Sequence, residues 1–351
     1  MGSHDMNEEI LNSNETAPDM VPDIAYGATF HLVPGSRPTP SQFGKDIVKG
    51  LSFYPKAIPS RYLYDNVGSV LFDAISQLQE YPCTRGEKRL LNKHKREIIA
   101  ALPAHTVVAE LGAGNGSKAA ILLAELSVKQ IPTIFHDIDI SAAAISQCRM
   151  TISTLPAVNF NGYAADYLQG LQRISSMRHH DQALLLLFLG SSIGNYEQAE
   201  AVDLMKGVRE QLRAGDFLLL GTDLVKPKER LLAAYNDPQG VTAAFNKNIL
   251  ARINSELQGN FDLSAFKHEV RWNYRLNRIE MHLVCTANQI VEIDGVSMIV
   301  RLRQGETIHT ESSHKYRLEQ IGPWLSEVGL YLVAQWVDDE SLFATTLARV
   351  R

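Results

Sequence analysis

The stretch Val107-Val-Ala-Glu-Leu-Gly-Ala-Gly-Asn-Gly-Ser-Lys118 decides the fold. A short apolar run, which indicates a buried strand, ends at Glu110, and three glycines at alternate positions follow from Gly112 onward. Glycine is needed in such a turn because a side chain would hold the backbone away from a ligand, and because some positions need a positive φ. The segment Lys118–Leu126 then reads as a helix whose free N–H groups face the turn. This pattern predicts a nucleotide-type site; the alternative is a tight strand-to-helix connection.

Apolar runs and helical patterns alternate regularly from this stretch onward. The runs that read as strands are Thr106–Leu111, Thr133–Ile138, Val158–Tyr163, Ala183–Leu189 and Phe217–Gly221. The helical patterns between them cover Lys118–Leu126, Ala142–Thr154 and Gln198–Leu212. This alternation predicts βαβ units, and therefore an α/β fold with a doubly wound parallel sheet covered by helices on both faces.

Acidic residues follow the predicted strands at the edge where ligands bind in doubly wound sheets. Asp139 comes after the second strand and is placed to accept both hydroxyls of a ribose, with Asp137 as the competing candidate. Asp166 follows the third strand, where it can accept from an adenine amine while Tyr167 lies beside the ring. Helix capping is the alternative for each aspartate alone, because Asp is a preferred N-cap residue. Their placement after successive strands favours a nucleoside.

The βα pattern stops after Lys226 and returns near the C-terminus. Alternating runs at Lys267–Arg275 and Arg278–Thr286, joined by Leu276-Asn277, predict a hairpin. Further runs of this kind lie at Gln289–Ile293 and Ser297–Arg303, so the segment predicts an antiparallel inserted subdomain. The C-terminal part reads as a helix followed by two strands, at Tyr316–Val328, Tyr331–Val337 and Leu342–Val350.

We therefore expect two domains. Residues 86–225 and 314–351 would form the nucleotide-binding domain, and residues 23–85 and 226–313 a second, α+β domain for the substrate. A length of 351 residues, with 45% hydrophobic and 21% charged residues, suits a two-domain globular protein. The polar run over residues 1–22, whose start resembles a cloning remnant, is expected to be disordered.

Charge and cysteine content exclude several classes of partner and compartment. A net charge of −5 gives no electrostatic reason to expect a nucleic acid or an anionic membrane as partner. No apolar stretch of the sequence reaches the ~20 residues of a membrane span. Cys83, Cys148 and Cys285 are widely separated, which predicts neither a disulfide framework nor a zinc-ligand pair and fits a reducing cytoplasm.

The glycine spacing Glu-x-Gly-x-Gly-x-Gly differs from the dinucleotide fingerprint Gly-x-Gly-x-x-Gly and is the form usual in S-adenosylmethionine (SAM) methyltransferases. Further ordered motifs are Tyr64-Asp, Phe72-Asp-Ala-Ile, Glu80-Tyr81, Phe188-Leu-Gly-Ser-Ser-Ile-Gly-Asn195, Tyr235-Asn-Asp, Arg278-Ile-Glu-Met281 and Glu311-Ser-Ser-x-Lys-Tyr316. In these motifs the chain resembles, from about Arg61 to the C-terminus, the histidine-specific Nα-methyltransferases of ergothioneine biosynthesis. The resemblance implies a class I SAM-methyltransferase (Rossmann-like) domain, a separate substrate domain, and trimethylation of L-histidine to hercynine.

The resemblance also implies which residues form the site. The implied SAM positions are Tyr64, Gly112, Lys118, Asp139, Asp166 and Tyr167. The implied histidine positions are Tyr81, Gly190, Asn195, Tyr235, Met281, Glu311 and Ser313. Among these, Tyr81 would act in catalysis, by accepting from the α-amine and orienting its lone pair toward the SAM methyl group.

The residue types suit the parts of histidine. Asn195 and Tyr235 can donate to the carboxylate. Glu311 can accept one imidazole N–H and Ser313 can bond the other ring nitrogen. Met281 would pack on the ring through its soft thioether. Because a pocket built to pair a polar ring leaves its own groups unsatisfied with other substrates, Glu311 and Ser313 would carry the choice of histidine.

Simpler interpretations exist for several of these residues. Asn195 could be a turn residue, Glu311 a capping acid, and Tyr64 and Tyr81 half-buried packing residues with wet hydroxyls. The chain also departs from the family after Tyr81, where it continues Pro82-Cys83 and relatives often have an extra aromatic residue. The resemblance therefore does not predict the shape of the loop that covers the amine.

The implied reaction is direct SN2 transfer from a sulfonium to an amine, performed three times, without a metal or a covalent intermediate. Its main requirement is alignment of donor and acceptor. Since free α-amines titrate near ~8, an orienting acceptor suffices in place of a strong base. Two other hypotheses stay open: Nα-methylation of another amino acid, such as a tryptophan derivative, and a non-catalytic SAM or nucleoside sensor.

Overall fold

The computed structural model describes residues 29–32 and 40–351, so the expected disordered segment 1–22 lies outside the described residues. The strands are β1 (Thr29–Leu32), β2 (Lys56–Ala57), β3 (Thr106–Leu111), β4 (Thr133–Asp139), β5 (Val158–Ala164), β6 (Ala183–Phe188), β7 (Phe217–Asp223), β8 (Phe266–Asn273), β9 (Arg278–Cys285), β10 (Gln289–Ile293), β11 (Met298–Leu302), β12 (Thr307–His314), β13 (Leu330–Asp338) and β14 (Phe343–Val350). The helices are α1 (Pro40–Ser52), α2 (Asn66–Gln77), α3 (Cys83–Ala101), α4 (Ser117–Lys129), α5 (Ala142–Ile152), α6 (Tyr167–Met177), α7 (Gln198–Gln211), α8 (Lys228–Tyr235), α9 (Val241–Glu256) and α10 (Leu318–Glu327).

The main sheet has eight strands in the order β1-β5-β4-β3-β6-β7-β14-β13. Neighbours from β1 to β7 run parallel, whereas β14 is antiparallel to both β7 and β13. The predicted α/β doubly wound sheet is confirmed. Its strand order reverses between β3 and β6, and ligands of such sheets bind at this switch point, beyond the carboxyl ends of the strands.

Strand β6 shows why this sheet is so apolar. Leu184 and Leu186 belong to the hydrophobic core on one face of the sheet, and Leu185 and Leu187 belong to the core on the other face. Because successive side chains of a strand point to opposite faces, a strand covered by helices on both sides has no wet face. The continuous apolar run in the sequence therefore reflects burial on both faces.

A second unit lies around a four-stranded sheet with the order β2-β12-β9-β8. The predicted hairpin of β8 and β9 is confirmed, with Asn277 at a φ of +48° in its loop. The unit is not wholly antiparallel, since β2 pairs with β12 in the parallel sense. Strands β10 and β11 form a separate pair. Helices α1, α2, α8 and α9 pack against the second sheet in a core of their own, which contains Phe43, Ile75, Leu231 and Phe245.

Two segments differ from the expected domain boundaries. Strand β1 lies in the range 23–85 expected for the second domain, yet it pairs with β5 at the edge of the main sheet. Helix α3 starts at Cys83 and crosses between the units: Leu90 packs in the core of the second sheet and Leu91 in a core of the main sheet. Among the helices described, none combines the length and apolarity that crossing a membrane requires.

Candidate active site

The glycine turn after β3 has the backbone conformation that its sequence predicts. Gly112, Gly114 and Gly116 have φ values of +72°, +57° and +72°, which disfavour any residue with a Cβ. A Cβ at Gly112 would lie 2.7 Å from the hydroxyl of Tyr167, whereas a Cβ at Gly114 would meet no atom within 4 Å. The backbone at Gly114 is thus bare toward open space, and the N-terminus of α4 follows directly.

Buried carboxyl groups surround this turn. Both carboxyl oxygens of Glu110 are buried and make no hydrogen bond within the part of the chain that the structure describes. Burial raises the pKa of Glu110 to about 8, although the charge of Lys118 acts in the opposite direction. Burial likewise raises the pKa of Asp137, its neighbour on β4, well above the ordinary value. These acids fit a ligand that brings several N–H and O–H donors into the turn.

Asp139 and Asp166 lie at the strand ends that the sequence predicts for them: Asp139 is the last residue of β4, and Asp166 follows β5. Burial raises the pKa of Asp139 to about 6, while its Oδ1 accepts from the backbone N–H of Ser141 at 2.8 Å. Asp166 is the N-cap of α6, where its Oδ1 accepts from the N–H of Gln169 at 2.9 Å. Capping of α6 therefore accounts for one oxygen of Asp166. The next residue, Tyr167, places its hydroxyl beside Gly112 of the glycine turn.

Lys118 connects the glycine turn to the end of β6. Its ammonium donates to Oε2 of Glu87 at 2.8 Å, and the Glu87 carboxylate also accepts the backbone N–H of Gly190 at 2.9 and 3.0 Å. Glu87 is fully buried on α3, and it was not predicted from the sequence as a site residue. The available signal was its place beside Leu90 and Leu91 on the apolar face of an amphipathic helix.

All seven residues that the family resemblance implies for the substrate line one cavity, together with Tyr64. They come from different elements of the two units: Gly190 and Asn195 follow β6, Met281 lies in β9, and Glu311 and Ser313 lie in β12. Tyr81 precedes α3 and Tyr235 ends α8. The cavity is therefore built where the second sheet faces the switch point of the main sheet.

Aromatic rings form one wall of the cavity. Tyr64 makes edge-to-face contacts with Phe72 and Phe245 at 5.5 and 5.4 Å between ring centroids. Tyr81 contacts Phe72 at 6.3 Å and Tyr235 at 6.1 Å in the same manner. Such pairs favour these tilted arrangements. Tyr81 is 7% exposed, so the half-buried alternative is wrong for it, and burial raises the pKa of its phenol well above the ordinary value.

Glu311 lies inside β12, so the interpretation as a helix-capping acid is wrong. Burial raises its pKa to about 7, partly offset by the charge of Lys315, and no hydrogen bond to its Oε2 occurs among the described residues. Met281 is its cross-strand partner on β9. Because side chains alternate along a strand, Glu311 and Ser313 share the cavity face, while Ser312 bonds Glu197 on the other face.

Behind Tyr235 and Ser313 lies a buried ion cluster of Asp223, Lys226 and Lys315. Lys315 and Asp223 both line the cavity, and neither was predicted from the sequence as a site residue. The signals were present, since Lys315 continues the alternation of Glu311 and Ser313 and Asp223 ends β7.

A doubly wound sheet with an antiparallel C-terminal pair, and a glycine turn with buried acids at its switch point, defines a class I SAM-dependent methyltransferase. The chain belongs to the family of histidine-specific, SAM-dependent methyltransferases, whose family model matches residues 43–350.

Three relatives show the range of this similarity. A histidine N-alpha-methyltransferase of Mycolicibacterium smegmatis is 39% identical over 305 residues, which are 87% of this chain and 94% of that protein. Ergothioneine biosynthesis protein 1 of Neurospora crassa is 27% identical over 303 residues, 85% of this chain and 34% of that protein. A 4-dimethylallyltryptophan N-methyltransferase of Epichloe festucae var. lolii is 25% identical over 317 residues, 84% of this chain and 90% of that protein.

Proposed function

We propose that this chain transfers methyl groups from SAM to the α-amine of L-histidine three times, giving hercynine for ergothioneine biosynthesis. The family assignment supports methyl transfer. The choice of histidine rests on one observation: a buried acid, Glu311, opens into the cavity beside Ser313 and opposite Met281. An acid and a hydroxyl on one wall match the two nitrogens of an imidazole, whereas an indole ring has a single N–H and would leave one of these two groups without a partner.

The glycine turn fits SAM. The cofactor brings an ammonium group, ribose hydroxyls and an adenine amine. The carboxyl oxygens of Glu110, which have no hydrogen-bond partner among the described residues, offer acceptors where the backbone at Gly114 is bare. We assign cofactor binding to Tyr64, Gly112, Lys118, Asp139, Asp166 and Tyr167. When bound, SAM supplies an electrophilic methyl group on a sulfonium; the protein's own residues position the acceptor amine.

The cavity provides complementary groups for the amino acid. Asn195 and Tyr235 bind the carboxylate, and the carbonyl of Gly190 and the hydroxyl of Tyr81 accept from the amine. Since burial keeps the phenol of Tyr81 neutral, it acts through its oxygen lone pairs and not as a strong base. The amine proton leaves to water before each transfer, and the third transfer proceeds on an amine that has no N–H left.

The two units divide these tasks. The main sheet carries the β6 end and the cofactor residues other than Tyr64, which packs against the core of the second unit. The unit around the second sheet carries the residues for the imidazole ring, so we assign it as the substrate-binding domain. The cysteines Cys83, Cys148 and Cys285 are all buried and unbridged, which supports a reducing, cytoplasmic location.

Mass spectrometry of histidine incubated with the protein and SAM tests this function. We expect products with one, two and three added methyl groups, with the trimethylated form accumulating. Tryptophan at the same concentration is the matched competitor. Equal or greater methylation of tryptophan would mean that the preferred substrate is an amino acid with an indole ring. If no amino acid is methylated, the protein binds SAM without catalysing methyl transfer.

A further inference from the structure

We propose that Lys315 is a positioning residue that directs the hydroxyls of Tyr235 and Ser313 and thereby completes an electropositive site for the substrate carboxylate. This inference deepens the proposed function and rests on it. Lys315 lines the cavity beside these two hydroxyls, and we assign its effect on the substrate to the way it holds them.

All three N–H groups of Lys315 have acceptors. Its ammonium lies 2.9 Å from the hydroxyl of Tyr235, 2.9 Å from the hydroxyl of Ser313 and 3.0 Å from Oδ2 of Asp223. The Lys315 side chain is 1% exposed, so water does not compete for these bonds. A lysine ammonium has three donors and no acceptor, and its orientation is therefore completely determined here.

This arrangement restricts the two hydroxyl groups. Tyr235 and Ser313 are also joined to each other by a hydrogen bond of 2.7 Å. Each hydroxyl has one proton and two lone pairs. Lys315 occupies a lone pair on both oxygens, and the bond between them uses one of the two protons. One O–H is left for the cavity. In the structure Tyr235 donates to Ser313, so this O–H belongs to Ser313. A carboxylate, which only accepts, takes an O–H from Tyr235 once both hydroxyls rotate and Ser313 donates to Tyr235.

The protonation states of Tyr235 and Asp223 support this assignment of the hydroxyl protons. Burial raises the pKa of Tyr235 to about 12 even beside Lys315, so the phenol keeps its proton. Burial alone would raise the pKa of Asp223, but the charges of Lys315 and Lys226 outweigh it and bring that pKa below the ordinary value. The tyrosine therefore donates, and the aspartate is ionised.

The cluster carries more positive than negative charge. One aspartate, Asp223, pairs with two buried lysines, Lys226 and Lys315. Glu311 lines the same cavity but makes no salt bridge to either lysine among the described residues. An excess buried charge is costly unless a counter-charge arrives. The substrate carboxylate supplies one at the Tyr235 hydroxyl.

The position of the cluster identifies which end of the substrate it serves. The backbone N–H of Asp223 donates to the hydroxyl of Ser191 at 2.9 Å, and Ser191 follows Gly190 at the end of β6. Asp223 therefore anchors the cluster to the main sheet, on the side of Asn195, while Ser313 and Lys315 reach the cluster from the end of β12. Met281 and Glu311, which serve the ring, belong to the second sheet.

Calorimetry with histidine and histamine, which is histidine without its carboxylate, separates the two ends of the substrate. The variants are Lys315→Met, Lys315→Arg and, as a control, Lys228→Met at the exposed start of α8, all titrated in the presence of S-adenosylhomocysteine. For Lys315→Met we expect histidine affinity to fall roughly tenfold to hundredfold, as for a lost charged hydrogen bond. Histamine affinity should fall much less than histidine affinity, because histamine keeps only the ring contact of Ser313. S-adenosylhomocysteine affinity should stay within about twofold.

Lys315→Arg should restore part of the histidine affinity because it keeps the charge, and Lys228→Met should match the wild type. Equal losses for histidine and histamine, or unchanged histidine affinity, would overturn the proposal while leaving the proposed function intact. If Lys315→Met no longer binds S-adenosylhomocysteine, Lys315→Gln carries the same comparison. A wild-type protein that neither binds nor methylates histidine would instead refute the proposed function.

Discussion

The carboxylate of Glu87 binds the backbone nitrogen of Gly190 through both of its oxygens, at 3.0 and 2.9 Å. One of these oxygens also accepts from Lys118 at 2.8 Å. A single buried acid on α3 thus ties the helix after the glycine turn to the strand end that faces the substrate cavity. The relative position of methyl donor and acceptor depends on such a connection, since alignment is the main requirement of the reaction.

Glu87→Gln keeps the size of this side chain and removes its charge. We expect kcat/KM for methyl transfer to fall roughly tenfold, because an amide has one acceptor oxygen and cannot neutralise Lys118. Steady-state kinetics with varied SAM measure this loss. Glu97→Gln, an exposed position of the same helix, is the control, and unchanged kinetics in Glu87→Gln would show that the connection has no catalytic role.

Gly190→Ala tests the approach of Lys118 to the same backbone. A Cβ there would lie 3.0 Å from the Lys118 ammonium, at a φ of +76°. Gly305 has a similar φ of +83°, but a Cβ there would meet nothing within 4 Å. Both alanine variants should lose about 1–2 kcal/mol in urea unfolding, from backbone strain. Only Gly190→Ala should also slow methyl transfer, and equal activity in both variants would contradict the role of this contact.

Glu311→Ala should weaken histidine binding roughly tenfold to hundredfold while leaving SAM affinity nearly unchanged, because the imidazole N–H loses its acceptor. Calorimetry with each ligand measures the two affinities. Glu269→Ala removes a half-buried acid, paired with Arg271, from β8 in the same sheet and serves as the control. If both affinities of Glu311→Ala equal those of the wild type, the ring does not bind at this acid.

Glu110 predicts a pH dependence of stability in the absence of SAM. Burial raises its pKa in the folded protein to about 8, from an ordinary value of 4.5. The folded state therefore holds a proton that the unfolded chain has lost, and the stabilisation from this group is complete below about pH 4.5 and is lost as the pH rises through about 8. Glu110→Gln has no proton to lose.

Thermal unfolding at two pH values measures this difference. The variant Glu110→Gln should unfold at a temperature close to that of the wild type near pH 5 and at a clearly higher temperature near pH 8.5, if both are free of ligand. A difference that shrinks with rising pH would mean that the carboxyl is ionised in the folded protein. The same variant should bind SAM more weakly, because the buried carboxyl that lowers the stability of the folded protein is also a proposed acceptor for the cofactor.

Local sequence patterns predict the main sheet well and the second unit less well. The run Leu184–Leu189 predicts a strand because both of its faces are apolar. Strand β12 has no such signal: Glu311 and Ser313 face a polar cavity, and on the other face Ser312 bonds Glu197. A strand that is polar on both sides has no hydrophobic alternation. Only the family motif marks these residues as part of the site.

By itself, the sequence determined the glycine turn, the strands β3 to β7 with helices α4, α5 and α7 between them, and the acids that follow the strands, because these depend on local backbone preference and on apolar periodicity. Helix α6 was not predicted. Only the tertiary structure decided that β1 joins the main sheet, that Glu87 reaches Gly190, and that Lys315 lies between Asp223, Tyr235 and Ser313. These contacts join residues far apart in the chain. Buried charges choose their partners by three-dimensional proximity, which no local pattern of residues encodes.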